Sequence, residues 1–453
     1  MSSFFDPLWK YSIIRKKTLN ANSKGHHGMG LHVRPLVGNQ SQRLGAFRLE
    51  QDANTLTAAT TNTFTNAFEY VSHFQQLIQK ELSSQSKELS VEEKLLFDQK
   101  MSSIIYDQLR ESKTLPKPSF YFDDDFEKKR DIRLVGRTTW PEAAFGKRPG
   151  EEIKQFSKYH DIELFKKHVG DGVEWVSDLI GPALSQEIQN NSSVSLNKDF
   201  TERQFFPVKI FNSRDREIIR AYATQPQAFG TSRKYPEGVS SQKEMQEWVA
   251  GKIDAANDWS QTSIPIGLNF QRRAFYRPPT ADSYTLTLNG KSVQVGLQGE
   301  DNKSSWGISI GPQDLKKFYD SYRKSSNGSG DKKGVMDDVI HEYGHYLEHI
   351  SPTISKITED FLERRTKNAA VKKLADIFPN NGYKETEVYL DGNFVSPYVG
   401  KIYQTIDSKK GIASSEVLSV GLQQLFANPV HFLSKDPEHF ALIISAMKGI
   451  PLS

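Results

Sequence analysis

The chain contains no cysteine, which excludes disulfide frameworks, thiolate metal sites and cysteine nucleophiles, so any metal must be held by histidine and carboxylate. Long apolar runs are missing as well: nowhere do the roughly 18 consecutive apolar residues of a membrane-spanning helix occur. No sign of charge dominates, since 59 basic side chains face 55 acidic ones for a net charge of +4 without a long one-sign block. That balance gives no electrostatic reason to expect a nucleic-acid partner. The opening MSSFFDPLWKYSIIRKKTLN interrupts its apolar residues with Asp6, Pro7 and Lys10, and places Arg15, Lys16 and Lys17 after them instead of before. This is not the order of a secretory signal, and a soluble cytoplasmic protein with no membrane partner is the expectation.

At 453 residues the chain exceeds the size at which one hydrophobic core keeps growing, so more than one structural unit is expected. Residues 1–66 scatter Gly, Ser, Asn and Thr and close on TLTAATTNTFTN, which has neither helical nor strand periodicity and reads as a flexible arm. Residues 67–265 read as a mostly helical region. Its first part places Phe68, Val71, Phe74, Leu77, Ile78 and Leu82, then Leu95, Leu96, Ile104, Ile105 and Leu109, at helical spacings, so the pattern predicts two amphipathic helices broken near Ser83 to Ser90. Asp123, Asp124 and Asp125 form a carboxylate triplet that reads as a solvated turn, with cation binding as the alternative. Further helices are expected over Asp215 to Tyr222 and Ser241 to Trp259.

The texture changes in residues 266–453. RAFYRPP reads as a strand, YTLTLNGKSVQVGL as a hairpin turning at Asn289-Gly290, and SSWGISIGP as one more strand, followed by LKKFYDSYRK as a helix. The fold class expected is therefore α+β: a mostly helical N-terminal region, then a small sheet and a helix beginning near Val335.

That helix carries the chemistry. In GVMDDVIHEYGHYLEHI the residues Met336, Ile340, Tyr343, Leu347 and Ile350 make one apolar stripe facing a core. Away from it, His341 and His345 stand one helical turn apart, so both imidazoles can reach one metal ion. Glu342 is offset around the helix, where it can take a proton from an attacking water without coordinating the metal. Gly344 costs about 1 kcal/mol of helix stability relative to Ala, which a fold tolerates where another backbone packs closely. The competing reading is a solvated helix with coincidental histidines.

A third ligand must come from elsewhere. The extended metzincin pattern would need Gly at 348 and His at 351, where this chain has Glu348 and Ser351. The best candidate is Glu416 in ASSEVLSVGLQQLF, at the edge of a strongly apolar helix capped by Ser414 or Ser415. The alternative is a first-turn glutamate that only complements the helix dipole. Tyr398 and Tyr403 in SPYVGKIYQ are candidate donors to a developing oxyanion, with packing aromatics as the competing reading. Glu348 or Asp338 is a candidate to hold a ligand histidine's other nitrogen, His349 is expected in a supporting or surface role, and Arg364 and Arg365 are expected to pair with acidic surface. The closing DPEHFALIISAMKGIP has Asp436 as cap, Pro437 at the first helical position and Gly449 as terminator.

HEYGHYLEH, DFLERRT, SPYVGKIYQ, SSEVLSVGLQQLF and DPEHFALIISAMKG together resemble the metallopeptidase-like domains associated with phage head-morphogenesis and minor capsid proteins, and are more broadly similar to gluzincins. The resemblance covers roughly Arg273 to Gly449, with the HExxH element its most specific part. It implies a zincin-like domain with His341, His345 and Glu416 as ligands to one zinc ion per chain and Glu342 as base. A protein or peptide substrate follows, with phage portal or capsid proteins as candidate partners and the host cytoplasm or virion as the place of action. Two alternatives stand beside the peptidase: a head-assembly protein that uses the domain as a scaffold, and an effector protease delivered to another cell.

Overall fold

The computed structural model describes residues 64–85, 88–111, 115–122, 161–191, 194–196, 203–205, 208–224, 236–256, 263–268, 274–279, 282–288, 290–299, 306–310, 332–378, 383–403 and 415–453. The chain divides into units 1–58 and 59–453, and all of these residues lie in the second. Residues 1–63 of the expected arm, the Asp123–Asp125 triplet and the LKKFYDSYRK helix lie outside the described residues.

The helical periodicity after residue 66 produces α1 (Ala67–Ser83) and α2 (Val91–Leu109), with the break where the sequence places it. The Asn66 side chain accepts from the Glu69 amide to start α1, and Ser90 and Glu93 form a reciprocal capping box on α2. The buried edges of the pair are Val71, Phe74, Met101, Ile104, Ile105 and Leu109. β1 (Ser119–Phe122) follows, then α3 (Asp161–Ser177), α4 (Pro182–Asn190), the ribbon β2 (Val194–Leu196) with β3 (Arg203–Phe205), and β4 (Val208–Phe211). Next come α5 (Ser213–Thr224) and α6 (Gln242–Ala255), the latter capped by Ser241 and Glu244.

Two sheets join stretches far apart in sequence. In the first, β1 pairs in parallel with β5 (Ser263–Leu268); β6 (Phe275–Arg277) comes next in the chain, and β9 (Gly307–Ile310) lies parallel to β5 and antiparallel to β6, giving the order β1-β5-β9-β6. In the second, β4 pairs with β8 (Lys291–Gly299), which forms a hairpin with β7 (Asp282–Leu288). The hairpin register pairs Leu288 with Lys291, so the turn has two residues, and Gly290 adopts a φ of +78° as a tight turn requires. Helices α5 and α6 cover this sheet through Ile218, Ile219, Met245, Val249, Leu286, Val295 and Leu297. Residues on both sides of position 265 therefore share sheets, because β1 and β4 find their partners in the later strands.

The rest of the chain is α7 (Lys332–Ile350), α8 (Pro352–Thr366), β10 (Val371–Lys373), α9 (Leu374–Ile377), β11 (Val388–Leu390), a 3-10 turn (Pro397–Gly400), β12 (Lys401–Ile402), α10 (Val417–Ala427), α11 (Pro429–Lys435) and α12 (Pro437–Lys448). The strands β10, β11 and β12 form an antiparallel sheet in that order. α7 packs against α3 and α10, with β6 and β9 also against it. Val339, Ile340, Tyr343, Tyr346, Leu347 and Ile350 are fully buried there. At about 1.5–3 kcal/mol for each buried side chain, this anchoring far outweighs the helix-propensity cost of Gly344. α12, started by Asp436 and Pro437 and stopped at Gly449, is buried from His439 to Lys448 and packs against α1, α4, α8 and α10. At the two ends of the described unit, the amides of Ala67 and Phe68 donate to the carbonyls of Pro451 and Leu452.

The chain thus mixes helices with small sheets, as the α+β expectation states. Among the described residues no helix is long and apolar enough to cross a membrane.

Candidate metal centre

α7 turns its apolar stripe into the core, so His341 and His345 emerge on another face with their rings T-shaped and centroids 5.0 Å apart. The third group arrives from α10. Gly344 lies between the two histidines, and a Cβ placed there would sit 2.6 Å from the Cα of Ser419 and 3.0 Å from its amide nitrogen. The absent side chain lets the backbone of α10 approach the histidine face, which is the close contact its helix cost implies. Glu416 is the residue that heads α10, and its carboxylate makes no capping bond on its own helix. It points to the imidazoles instead: Glu416 Oε2 lies 3.2 Å from His341 Nε2 and 3.4 Å from His345 Nε2.

Those separations allow a geometric test. In a tetrahedral site with metal–ligand bonds of about 2 Å, donor atoms sit about 3.3 Å apart. One donor atom from each of His341, His345 and Glu416 lies within 4.8 Å of the others, and both Glu416 separations match the tetrahedral edge. The three residues form a group that can hold a metal ion.

The carboxylate is held by its two oxygens differently. Oε2 faces the imidazoles and accepts from Ser419 Oγ at 2.8 Å, while Oε1 accepts from the phenol of Tyr403 and lies 3.6 Å from Lys401 Nζ. Glu416 therefore presents one oxygen to the site. Burial alone would raise its carboxyl, but His341 and His345 outweigh that and hold it well below the ordinary range. The reciprocal effect appears on His341: burial pulls it down, yet Glu416 prevails and it rises to about 9.

Glu342 has the opposite environment. Burial pushes its carboxyl up, against the pull of His341 and His345 and a hydrogen bond from the Tyr276 backbone amide on β6. A carboxyl raised towards neutrality is better matched to accepting and returning a proton near neutral pH.

Both candidate tyrosines reach the site. The ring of Tyr398 lies 6.2 Å from that of His341, and the ring of Tyr403 lies 6.3 Å from that of His345. Burial, with the charge of Glu416 next, pushes both phenols upward, so both remain donors. Between them sits Lys401, only 7% exposed, with Nζ 3.0 Å from Tyr398 Oη and 3.3 Å from Tyr403 Oη. Neither Lys401 nor Ser419 is among the residues expected from sequence.

Glu348 accepts from the amide and hydroxyl of Ser415 at 3.0 and 2.6 Å and from Thr358 Oγ1 at 2.8 Å, so it fixes the residue before Glu416. Ser415 Oγ accepts from the Val417 amide at 3.2 Å. Asp338 contributes its charge to His341. His349 is buried, its ring 6.1 Å from that of Tyr276, and not at the surface. Arg364 pairs with Glu438, and Arg365 clamps Asp436, Glu438 and the carbonyls of Gly392 and Asn393, an internal brace more than a surface pairing.

Comparison with protein-family models, with curated proteins and with solved structures found no match.

Proposed function

We propose that this chain is a zinc-dependent peptidase with a zincin-like catalytic unit. The observation that carries the reading is the convergence of His341 Nε2 and His345 Nε2 on Glu416 Oε2, at 3.2 and 3.4 Å, beside a buried Glu342 that takes no part in that group. Two imidazoles and a carboxylate suit zinc, and three protein ligands leave a position open as a hydrolytic site needs. Zinc held there supplies a Lewis acid that polarises the scissile carbonyl and makes water a better nucleophile at neutral pH.

The chain's own residues supply the rest. Glu342 takes a proton from the attacking water as the new C–O bond forms, and returns it to the leaving nitrogen as the C–N bond breaks. Tyr398 donates its phenolic hydrogen towards the carbonyl oxygen as charge builds on it. Tyr403 and Ser419 hold Glu416 in place. β6 is one of the two outer strands of its sheet among the described residues, and its Tyr276 amide reaches Glu342. An extended peptide added along that edge passes over the site, with main-chain hydrogen bonds supplying its alignment.

The test is cleavage of casein by zinc-loaded wild-type chain beside Glu342→Gln, which keeps the shape and the ligands but removes the base. Cleavage by the wild type, abolished in the variant at unchanged zinc content, is the expected result. Equal cleavage by both would overturn the assignment.

A further inference from the structure

Lys401 is a buried ammonium that sequence reasoning does not single out and that the reaction described above does not use. Its Nζ donates to Tyr398 Oη and Tyr403 Oη at 3.0 and 3.3 Å. It lies 5.0 and 4.4 Å from the two ring centroids, within the range of cation–π attraction. Its other neighbours are the carboxylates of Glu416 at 3.6 Å and Glu387 at 3.7 Å. An ammonium has three donors and accepts nothing. With two of them on phenols and carboxylates at 3.6 and 3.7 Å, the ammonium is surrounded by groups of the chain itself. A buried lysine so placed acts on the groups around it.

Donation to a phenol oxygen fills one of its lone pairs and fixes where its hydrogen points. For Tyr403 that hydrogen goes to Glu416 Oε1. With Oε1 engaged by Tyr403 and Lys401, only Oε2 is left to face His341 and His345. We propose that Lys401 is a positioning residue of this site: it fixes Tyr398 and Tyr403 as hydrogen-bond donors and, through Tyr403, restricts Glu416 to a single-oxygen presentation towards the metal. The inference rests on the zinc-peptidase reading.

The experiment compares the full-length wild type with Lys401→Met, which keeps length and apolar stem without the charge, and with Lys401→Arg, which keeps the charge. Zinc affinity is measured by competition with a chromophoric chelator, and kcat and KM for casein-derived peptides are measured at saturating zinc. Removing a group that orients a ligand costs about 10- to 100-fold in metal affinity or activity. Lys401→Met is expected to lose zinc affinity by about tenfold and kcat by a similar factor at unchanged KM, with Lys401→Arg recovering part of both. Should the single variant fail to fold because Glu387 loses its cationic neighbour, Lys401→Met combined with Glu387→Gln removes the stranded charge and carries the same measurements.

Unchanged affinity and kcat in a folded variant would overturn the proposal, as would a rise in KM alone, which would make Lys401 a substrate-binding group. The affinity readout separates the two levels of the account. A wild type that binds zinc but cleaves nothing sinks the peptidase reading and still tests Lys401, whereas a wild type that binds no zinc sinks the metal site itself.

Discussion

Glu348 accepts hydrogen bonds from both the backbone amide and the hydroxyl of Ser415, at 3.0 and 2.6 Å. The helix that carries His341 and His345 thereby grips the residue immediately before Glu416, and the position of the third group is tied to that of the first two. Thr358 on α8 completes the hold at 2.8 Å. Glu348→Ala leaves the amide and hydroxyl of Ser415 without their acceptor, at about 1–3 kcal/mol for each unsatisfied group. The expected outcome is a clear loss of stability in urea unfolding together with zinc affinity weakened about 10- to 100-fold. Loss of stability at full zinc affinity would show that Glu348 braces the fold without setting the ligand.

Gly344→Ala is expected to destabilise the protein although alanine is the better helix former. The gain in helix propensity is about 1 kcal/mol, whereas the new methyl would lie 2.6 Å from the Ser419 Cα, and overpacking of that kind costs about 1–3 kcal/mol when backbone must shift. Chemical unfolding decides the sign, and a stabilised variant would contradict the close approach of α7 and α10.

The two tyrosines should separate by phenotype. Tyr398→Phe removes a donor to the developing oxyanion and is expected to lower kcat by about 10²-fold, with a smaller loss of zinc affinity than Tyr403→Phe shows. Tyr403→Phe frees Glu416 Oε1 and is expected to weaken zinc binding by about tenfold. Steady-state kinetics and chelator competition on both variants check the division, and an exchange of the two effects would reverse the roles.

Stability should fall in mild acid through His439. This side chain is fully buried among Phe361, Phe394 and Phe432, its Nε2 lies 2.8 Å from the Val417 carbonyl, and burial lowers it to about 4 against the opposing pull of Asp436. The folded state thus keeps the ring neutral where the unfolded chain protonates it at an ordinary value of about 6.5. The sign follows: its contribution is complete above pH 6.5 and is lost as pH falls from there to about 4, by at most about 3 kcal/mol. Thermal unfolding of wild type and His439→Gln across that window should show the smaller pH dependence in the variant. Parallel curves would remove His439 as the cause.

Much of this was legible in the sequence because local rules decide it. Helical periodicity places α1, α2 and α6, Asp436 as cap with Pro437 places α12, the Asn-Gly turn places the β7–β8 hairpin, and the spacing of His341 and His345 fixes their shared face. The Gly344 cost pointed correctly to a close backbone. The pairing of β1 with β5 and of β4 with β8 was not legible, since parallel pairing across long stretches leaves no local mark in either strand. Lys401 was hidden for a related reason: an isolated lysine reads as surface, and only the tertiary placement of two phenols and two carboxylates around it makes burial tolerable. Glu348 reads as a candidate to hold a ligand histidine's other nitrogen, whereas its grip on Ser415 depends on where α10 begins.

The central claim is the three-residue metal site, and elemental mass spectrometry on purified full-length protein tests it most directly. The account predicts about one zinc per wild-type chain, lost from both His345→Ala and Glu416→Ala while each variant remains folded. A wild type that takes up no zinc after reconstitution, or a Glu416→Ala variant that keeps its full complement, would contradict it.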